Sequence, residues 1–479
     1  MLLPLKISFL LILFVGLAYA LRERIEGHQN LKRIRLALAE SGFSLPRQEI
    51  RPRHTMEEID LGRRLLSTIE PLSKLSKSAK LALDGPELMQ YLSPGVITPI
   101  IHQNATPFKL GNKTYAKVGW EEVESQMIHG REILTAAATL LKQSPALEHE
   151  YGLKGIVELG ATTTFVAWLQ TSAVLNLRKK NIDGALADLR GIATISRMIG
   201  DAGTPVAFTM EIGSWTFGGS KLVWEMLQIP GLTDAQLSSL QTICSGDDYI
   251  AGIEQAMRIE LDRMPDLYIE LKKSGHRRVL FDSGDTPTGI LGSEPFLVTR
   301  SYLWPLLWID GDLAFLMEQF YSSFEELHKM KKSGKWSDFN LKDAEAQGSV
   351  SNYDRWRYPV ASVISPIYLF RALLRSATKI EVFRQMCLAA ILLERHRLAH
   401  GSYPRQLNEV KGSESGEVPH DWYSGAPLKY QRLESGGYLL YSVGVNGADD
   451  GGDPTPAKGE DKVSLYSGKD IVWPRAVPD

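Results

Sequence analysis

The chain opens on an apolar run from Ile7 to Leu21, followed at once by charge in "LRERIEGHQNLKRIRLALAESG". A membrane-crossing helix needs about 20 apolar residues, so the run alone is short. Residues before Lys6 extend it, because a lysine near the interface carries its ammonium back to water. Helical spacing continues through the charged stretch, so the pattern predicts an uncleaved anchor over residues 1–24 running into a longer helix that Gly42 ends. Ala18-Tyr19-Ala20 also fits a small-x-small cleavage site, which keeps a removed secretory signal as the alternative. Arg22, Arg24, Lys32, Arg33 and Arg35 follow the run, and positive charge on that side opposes export, so the two signals conflict over orientation.

Helical period dominates the next three hundred residues. "TMEEIDLGRRLLSTIEPLSKLSKSAKLAL" continues it, with Pro71 as an expected break. Pro, Gly, Asn and Thr collect between Tyr91 and Trp120, which predicts a loop with a short hairpin. From Glu121 to about Gln241 successive helices follow. "GATTTFVAWLQTSAVLNLRKK" and "DGALADLRGIATISRMIG" form a helical hairpin across "NID", the second helix carrying Ala185, Leu186, Leu189, Ile192 and Ile195 on its apolar face. The hairpin is of tetratricopeptide type, but no copies recur at a fixed period of about 34 residues, so an irregular helical bundle or array is the expectation. "SYLWPLLWIDGDLAFLMEQFYSSFEELHKM" is apolar only up to Asp310 and Asp312, too short for a second span, and predicts a Trp-rich core helix.

After "VISP" a helical pattern runs from about Ile367 to His400. The period then switches to turns and strands in "GSYPRQL", "PHDWYSGAPLKYQ" and "GGYLLYSVG", with Tyr438 to Val443 expected as the last regular strand. The fold class is therefore mainly α: an N-terminal membrane helix, a helical domain over 25–365, and a small α+β unit over 366–479 made of a long helix and an antiparallel sheet.

Bulk composition narrows the function classes. With 44% hydrophobic and 23% charged residues, the 479-residue chain has ordinary globular texture and room for two or three domains. A net charge of -2 without a basic block gives no electrostatic footprint for nucleic acid. Cys244 and Cys387 are the only cysteines, which excludes a disulfide framework or thiolate zinc site and leaves buried thiols.

Three stretches invite catalytic readings and fall short. His396 and His400 share a helix face at zinc-ligand spacing, but the HExxH glutamate is absent and no third ligand follows. "GSWTFGGSK" lacks the Gly-Lys-Ser/Thr ending of a phosphate loop and the strand leading into one, so a helix–helix turn is expected. "ICSGDDYIAGIEQAMRIELDRM" supplies Asp247, Asp248, Glu254, Glu260 and Asp262; paired carboxylates suit acid–base work, whereas this spacing also fits a helix cap and a solvated face.

The most distinctive stretch is "GGYLLYSVGVNGADDGGDP". Asn446, Asp449, Asp450 and Asp453, with Glu460 and Asp461 just beyond, are hard oxygen donors among glycines that free backbone carbonyls to turn inward, a chemistry suited to calcium. An EF-hand is excluded. Starting at Asn446 puts Ala448 at the third position and Ala457 at the twelfth; starting at Asp449 puts Pro454 where the glycine belongs. A polar turn and a metal site are both compatible with this composition.

The motifs "AAILLERHRLAHGSYPRQLNEV", "PHDWYSGAPLKYQ", "GGYLLYSVGVNGADDGGD" and "DIVW" follow one another in an order that resembles the globular domain of the major pseudopilin of bacterial type II secretion systems. The resemblance covers roughly the last 90 to 100 residues. It implies a closing loop that binds calcium through aspartates and backbone carbonyls. On this chain the implied metal set is Asn446, where the family has Asp, together with Asp470, and with Asp461 in place of an aspartate that would fall at Gly468; Asp449, Asp450 and Asp453 complete the oxygen donors. "LPLKISFLLILFVG" lacks the glutamate signature of a pseudopilin leader, so the resemblance implies a C-terminal module and not a polymerising subunit.

Together these readings lead to a membrane-anchored bacterial envelope protein, its bulk outside the cytoplasm, acting as a scaffold or binding module on other envelope proteins, with a structural calcium loop and no catalytic residues. An exported hydrolase that uses carboxylates of the helical domain is the alternative.

Overall fold

A computed structural model of the chain describes residues 2–41, 54–78, 90–93, 96–98, 109–110, 113–114, 120–147, 153–246, 248–273, 302–336, 358, 361, 366–410, 418–455, 468–473 and 475–476, by backbone alone at 2–13, 76–78, 90–93, 96–98, 109–110, 113–114, 120, 122, 153–159, 217–218, 366–369, 371 and 475–476. It is mostly helical, with a small antiparallel sheet near the C-terminus. Two compact units divide it. The first comprises Met1–Arg51, Glu254–Lys329 and Phe339–Leu373; the second comprises Pro52–Ile253, Met330–Asp338 and Leu374–Asp479.

The first unit is organised by α1 (Leu2–Glu40), a single unbroken helix. Leu31, Ile34 and Leu38 recur at helical spacing and are buried, whereas Phe14, Val15, Leu17 and Leu21 are exposed. Among the residues whose side chains are described, which in α1 begin at Phe14, no helix is long and apolar enough to cross a membrane.

α1 packs in the first unit on α10 (Ile309–Ser333). Gly27 and Gly311 bring the two backbones into close approach. A Cβ on Gly27 would lie 2.7 Å from the Gly311 nitrogen, so only hydrogen fits between the helices there.

The second unit contains the helical array. α2 (Met56–Ser78) passes through Pro71 without ending there, contrary to the expected break. Proline removes one backbone donor, and neighbouring turns together with the burial of Leu61, Leu65, Ile69 and Leu72 sustain the helix on either side. The Pro- and Gly-rich stretch that follows yields two short strand pairs, β1 (Gln90–Ser93) with β2 (Val96–Thr98), and β3 (Lys109–Leu110) with β4 (Lys113–Thr114). α3 (Trp120–Leu141) precedes the expected helical hairpin, formed by α4 (Leu153–Arg178) and α5 (Ile182–Gly200). Asn181 caps α5 by accepting from the Gly184 N–H, and Ala185, Leu186, Leu189, Ile192 and Ile195 are all buried.

"GSWTFGGSK" departs from the expected turn. α6 (Pro205–Ser214) runs through a π-helical segment, Trp215–Gly219, directly into α7 (Ser220–Leu227). The wider turn lets the Trp215 ring lie against Gly219, where a Cβ would come within 2.2 Å of it. α8 (Asp234–Ser245) follows, and then α9 (Tyr249–Lys273), which belongs to the first unit from Glu254 on; each has an N-terminal side-chain cap, Thr233 and Asp248 respectively.

α11 (Pro366–His400) is the long helix expected after "VISP". Within the second unit, two arginines pin it to α8. Arg384 donates to the Cys244 carbonyl at 2.8 Å while both its other nitrogens grip Glu381, and Arg395 forks onto Asp234 and reaches Gln241. After α11 a short antiparallel pair, β5 (His420–Asp421) with β6 (Ala426–Pro427), leads to an antiparallel three-stranded sheet ordered β7 (Lys429–Arg432), β8 (Tyr438–Ser442), β9 (Ile471–Val472). The Trp473 ring, just past β9, lies 5.5 Å from Phe383 of α11. β8 is thus the middle strand and not the last, because "DIVW" returns to pair with it. A parallel pairing of β10 (Arg475–Ala476) with β2 follows.

Candidate functional site

The glycine-acid loop leaves β8 at Val443 and returns to β9 at Asp470. Each end is held by a carboxylate with no solvent exposure. At the start, Asp421 accepts from the Ser442 hydroxyl at 2.7 Å, from the Tyr423 N–H at 3.0 Å and from the Val443 N–H at 3.2 Å. At the close, Asp470 accepts from the N–H groups of Gly452 at 2.6 Å, Asp453 at 3.2 Å and Asp450 at 3.4 Å. A buried carboxylate is costly unless its lone pairs are met, and here backbone amides of the loop meet them. Gly444 has a φ of +68°, and a Cβ there would fall 2.6 Å from the Lys469 carbonyl, so the loop's first turn accepts only glycine at that place.

The oxygen donors predicted from sequence lie along one loop but turn to separate partners. Asn446 donates to Asp450 at 2.9 Å. Asp449 pairs with Lys429 at 2.9 Å and accepts from the Tyr441 hydroxyl at 2.8 Å. Asp453 pairs with Lys469 at 2.8 Å and accepts from the Thr455 N–H. Asp470 faces backbone N–H groups. Asp461 and Glu460 lie outside the described residues. Among the described residues, no group of three or more His, Cys, Asp or Glu side chains comes together in a way that could hold a metal ion. A calcium ion therefore fits this arrangement only if Asp449 and Asp453 exchange their lysines for it.

The electrostatics follow these contacts. The hydrogen bond from Lys469 holds the Asp453 carboxyl down to about 2, and Lys429, followed by Tyr441, lowers that of Asp449. Burial raises the Asp470 carboxyl, while the hydrogen bonds from Gly452, Asp450 and Asp453 oppose the shift. The Tyr441 hydroxyl is pushed up to about 12, by burial first and then by its bond to Asp449.

Asp421 is the residue that sequence reading passed over. Its signal was present in "PHDWYSG", where an aspartate two residues before a tyrosine makes an Asx turn by accepting that tyrosine's N–H. Its second task, receiving Val443 from a strand 22 residues away, has no local trace.

The other candidate stretches carry local structural roles. Asp248 caps α9 through the Ile250 and Ala251 N–H groups. Glu254 pairs with Arg258 at 2.9 Å and lies 3.8 Å from His328, and Glu260 lies 3.8 Å from Arg263. Asp262 is half-buried on the same helix, and Asp247 is outside the described residues. His396 and His400 stack with ring centres 4.1 Å apart, and their Nδ1 atoms meet the Ser402 and His396 carbonyls. Both cysteines are free and buried.

Comparison with family models, with curated proteins and with solved structures finds no match for the chain.

Proposed function

We propose that this chain is a membrane-anchored bacterial envelope protein whose folded units serve as a scaffold or binding module for other envelope proteins. One observation supports the reading above the rest. α1 carries an apolar run on its first half and buries its second half in the first unit without a break between them. From Leu2 to Leu21 the helix rises about 30 Å at 1.5 Å per residue, which is the thickness of a bilayer's hydrocarbon core, and Lys6 is the only charge in that stretch. Phe14, Val15, Leu17 and Leu21 are exposed in the chain by itself, and lipid is the solvent that suits such a ring of side chains.

The closing loop is the second part of the proposal: a pseudopilin-like module whose loop orders around calcium. Its glycines, its buried carboxylate anchors and its exposed Asn446, Asp449 and Asp450 support an oxygen-rich turn that exchanges lysine for a divalent cation.

Extraction of membranes tests the anchor. The full chain, expressed in a bacterium, is expected in the membrane fraction after an alkaline wash, while a chain beginning at Arg22 is expected in the wash. Complete release of the full-length, unprocessed chain would remove the anchor from the account.

A further inference from the structure

α1 and α10 run in the same direction within the first unit. Gly27 abuts Gly311 and His28 meets Asp310 at 3.1 Å, and later along both helices Arg33 meets Glu318 at 3.2 Å. The N-terminal half of α1 therefore leaves the unit at the end where α10 begins. At that same end, residues 302–307 form a helical turn that leads into α10 with only Trp308 between them.

That turn has two unlike faces. Trp304 is buried and donates its indole N–H to Asp312 at 2.7 Å. Asp312, itself fully buried, also accepts from the Tyr268 hydroxyl at 3.3 Å and the Ala361 N–H at 2.8 Å, so the turn's inner face is fixed by an enclosed carboxylate. The outer face carries Tyr302 at 69% exposure, Leu306 at 59% and Leu303 at 38%. Sequence pattern placed this segment in the core, and the burial of Trp304 accounts for only half of it.

From this juxtaposition we infer that residues 302–306 are a second lipid contact, set at the headgroup level of the bilayer that receives α1. The inference rests on the anchor reading above. Tyrosine with flanking leucines on a rigid turn suits the boundary between headgroups and acyl chains, where an aromatic ring meets both. Tyr19 lies near the end of α1's apolar run, and Arg22 and Arg24 are exposed just beyond it, where lipid phosphates would lie. Two contacts at one end would fix the tilt of the first unit on the membrane, which a lone helix does not.

The test uses the full chain with vesicles of phosphatidylcholine and phosphatidylglycerol that contain nitroxide-bearing acyl chains. A fluorophore whose emission does not depend on polarity is placed in turn by Leu306→Cys, Leu17→Cys and Lys329→Cys; the native cysteines are buried, and the unsubstituted chain serves as the labelling blank. Labels at 17 and 306 are expected to lose fluorescence on vesicle addition while the label at 329 keeps it. Loss at 17 without loss at 306, or equal loss at 306 and 329, overturns the second contact and leaves the anchor. No loss at 17, whatever happens at 306, overturns the anchor and with it a contact set by the bilayer that receives α1.

Discussion

The Asp470 carboxylate accepts a 2.6 Å hydrogen bond from the Gly452 N–H, closing an 18-residue separation in sequence with one buried charge. Asp453 and Asp450 donate to the same carboxylate. Charge-assisted bonds of this kind contribute about 1.5–3 kcal/mol each, and the three donors lose their acceptor together only if the carboxyl group itself is removed. Asp470→Ala, which removes every acceptor these N–H groups share, is therefore expected to lower stability by roughly 2 kcal/mol in urea unfolding, with Asp470→Asn costing less because it keeps one acceptor oxygen and sheds a charge that burial opposes. A wild-type midpoint in the alanine variant would mean the loop is not held from this residue.

The two loop lysines compete with any cation. Lys429 and Lys469 occupy oxygens of Asp449 and Asp453 that calcium would need. Calcium at millimolar concentration is expected to raise the melting temperature of the full chain, since a ligand of the native state alone stabilises it. Lys429→Gln together with Lys469→Gln should lower the calcium concentration needed for that rise. Absence of any calcium response in both chains would end the metal reading.

The α1–α10 crossing admits no side chain at Gly27. A Cβ 2.7 Å from backbone must push the helices apart, and overpacking of this kind costs roughly 1–3 kcal/mol. Gly27→Val is expected to unfold the first unit at lower denaturant, with Gly27→Ala intermediate. Equal midpoints for all three chains would show that α1 does not dock through this contact.

Asp188 sets a pH dependence in the second unit. Burial raises its carboxyl to about 6, against hydrogen bonds from Ser172 and Asn176 that lower it. The fold therefore favours the protonated acid. Its contribution is most favourable below the unfolded value near 3.8 and is lost as pH rises through about 6. Asp188→Asn is expected to stabilise the chain at pH 7 by about 1–3 kcal/mol and to flatten the stability profile between those two values. An unchanged profile in the variant would contradict this.

The helical hairpin was legible because its signals are local. Asn181 caps from within the turn, and Ala185, Leu189 and Ile192 declare one face by spacing alone. The continuity of α1 was legible for the same reason. Trp215–Gly219 was misread because "GG" marks a turn in most settings, and the widened helix depends on a tryptophan ring seated over Gly219. In the loop, composition identified oxygen donors but not their directions. Those are decided by Lys429 on a neighbouring strand and by amides brought to Asp470 when the sheet closes. The outward face of 302–306 was hidden in the same way, because its apolar residues read as core until only Trp304 and Pro305 are seen to take the inner side.

Flotation of the purified full chain with phosphatidylcholine–phosphatidylglycerol vesicles, with the chain's mass measured before and after, tests the membrane anchor most directly. The account predicts that the intact chain rises with the vesicles and that Leu17→Lys with Val15→Lys leaves it at the bottom. An intact wild-type chain that stays at the bottom would contradict it.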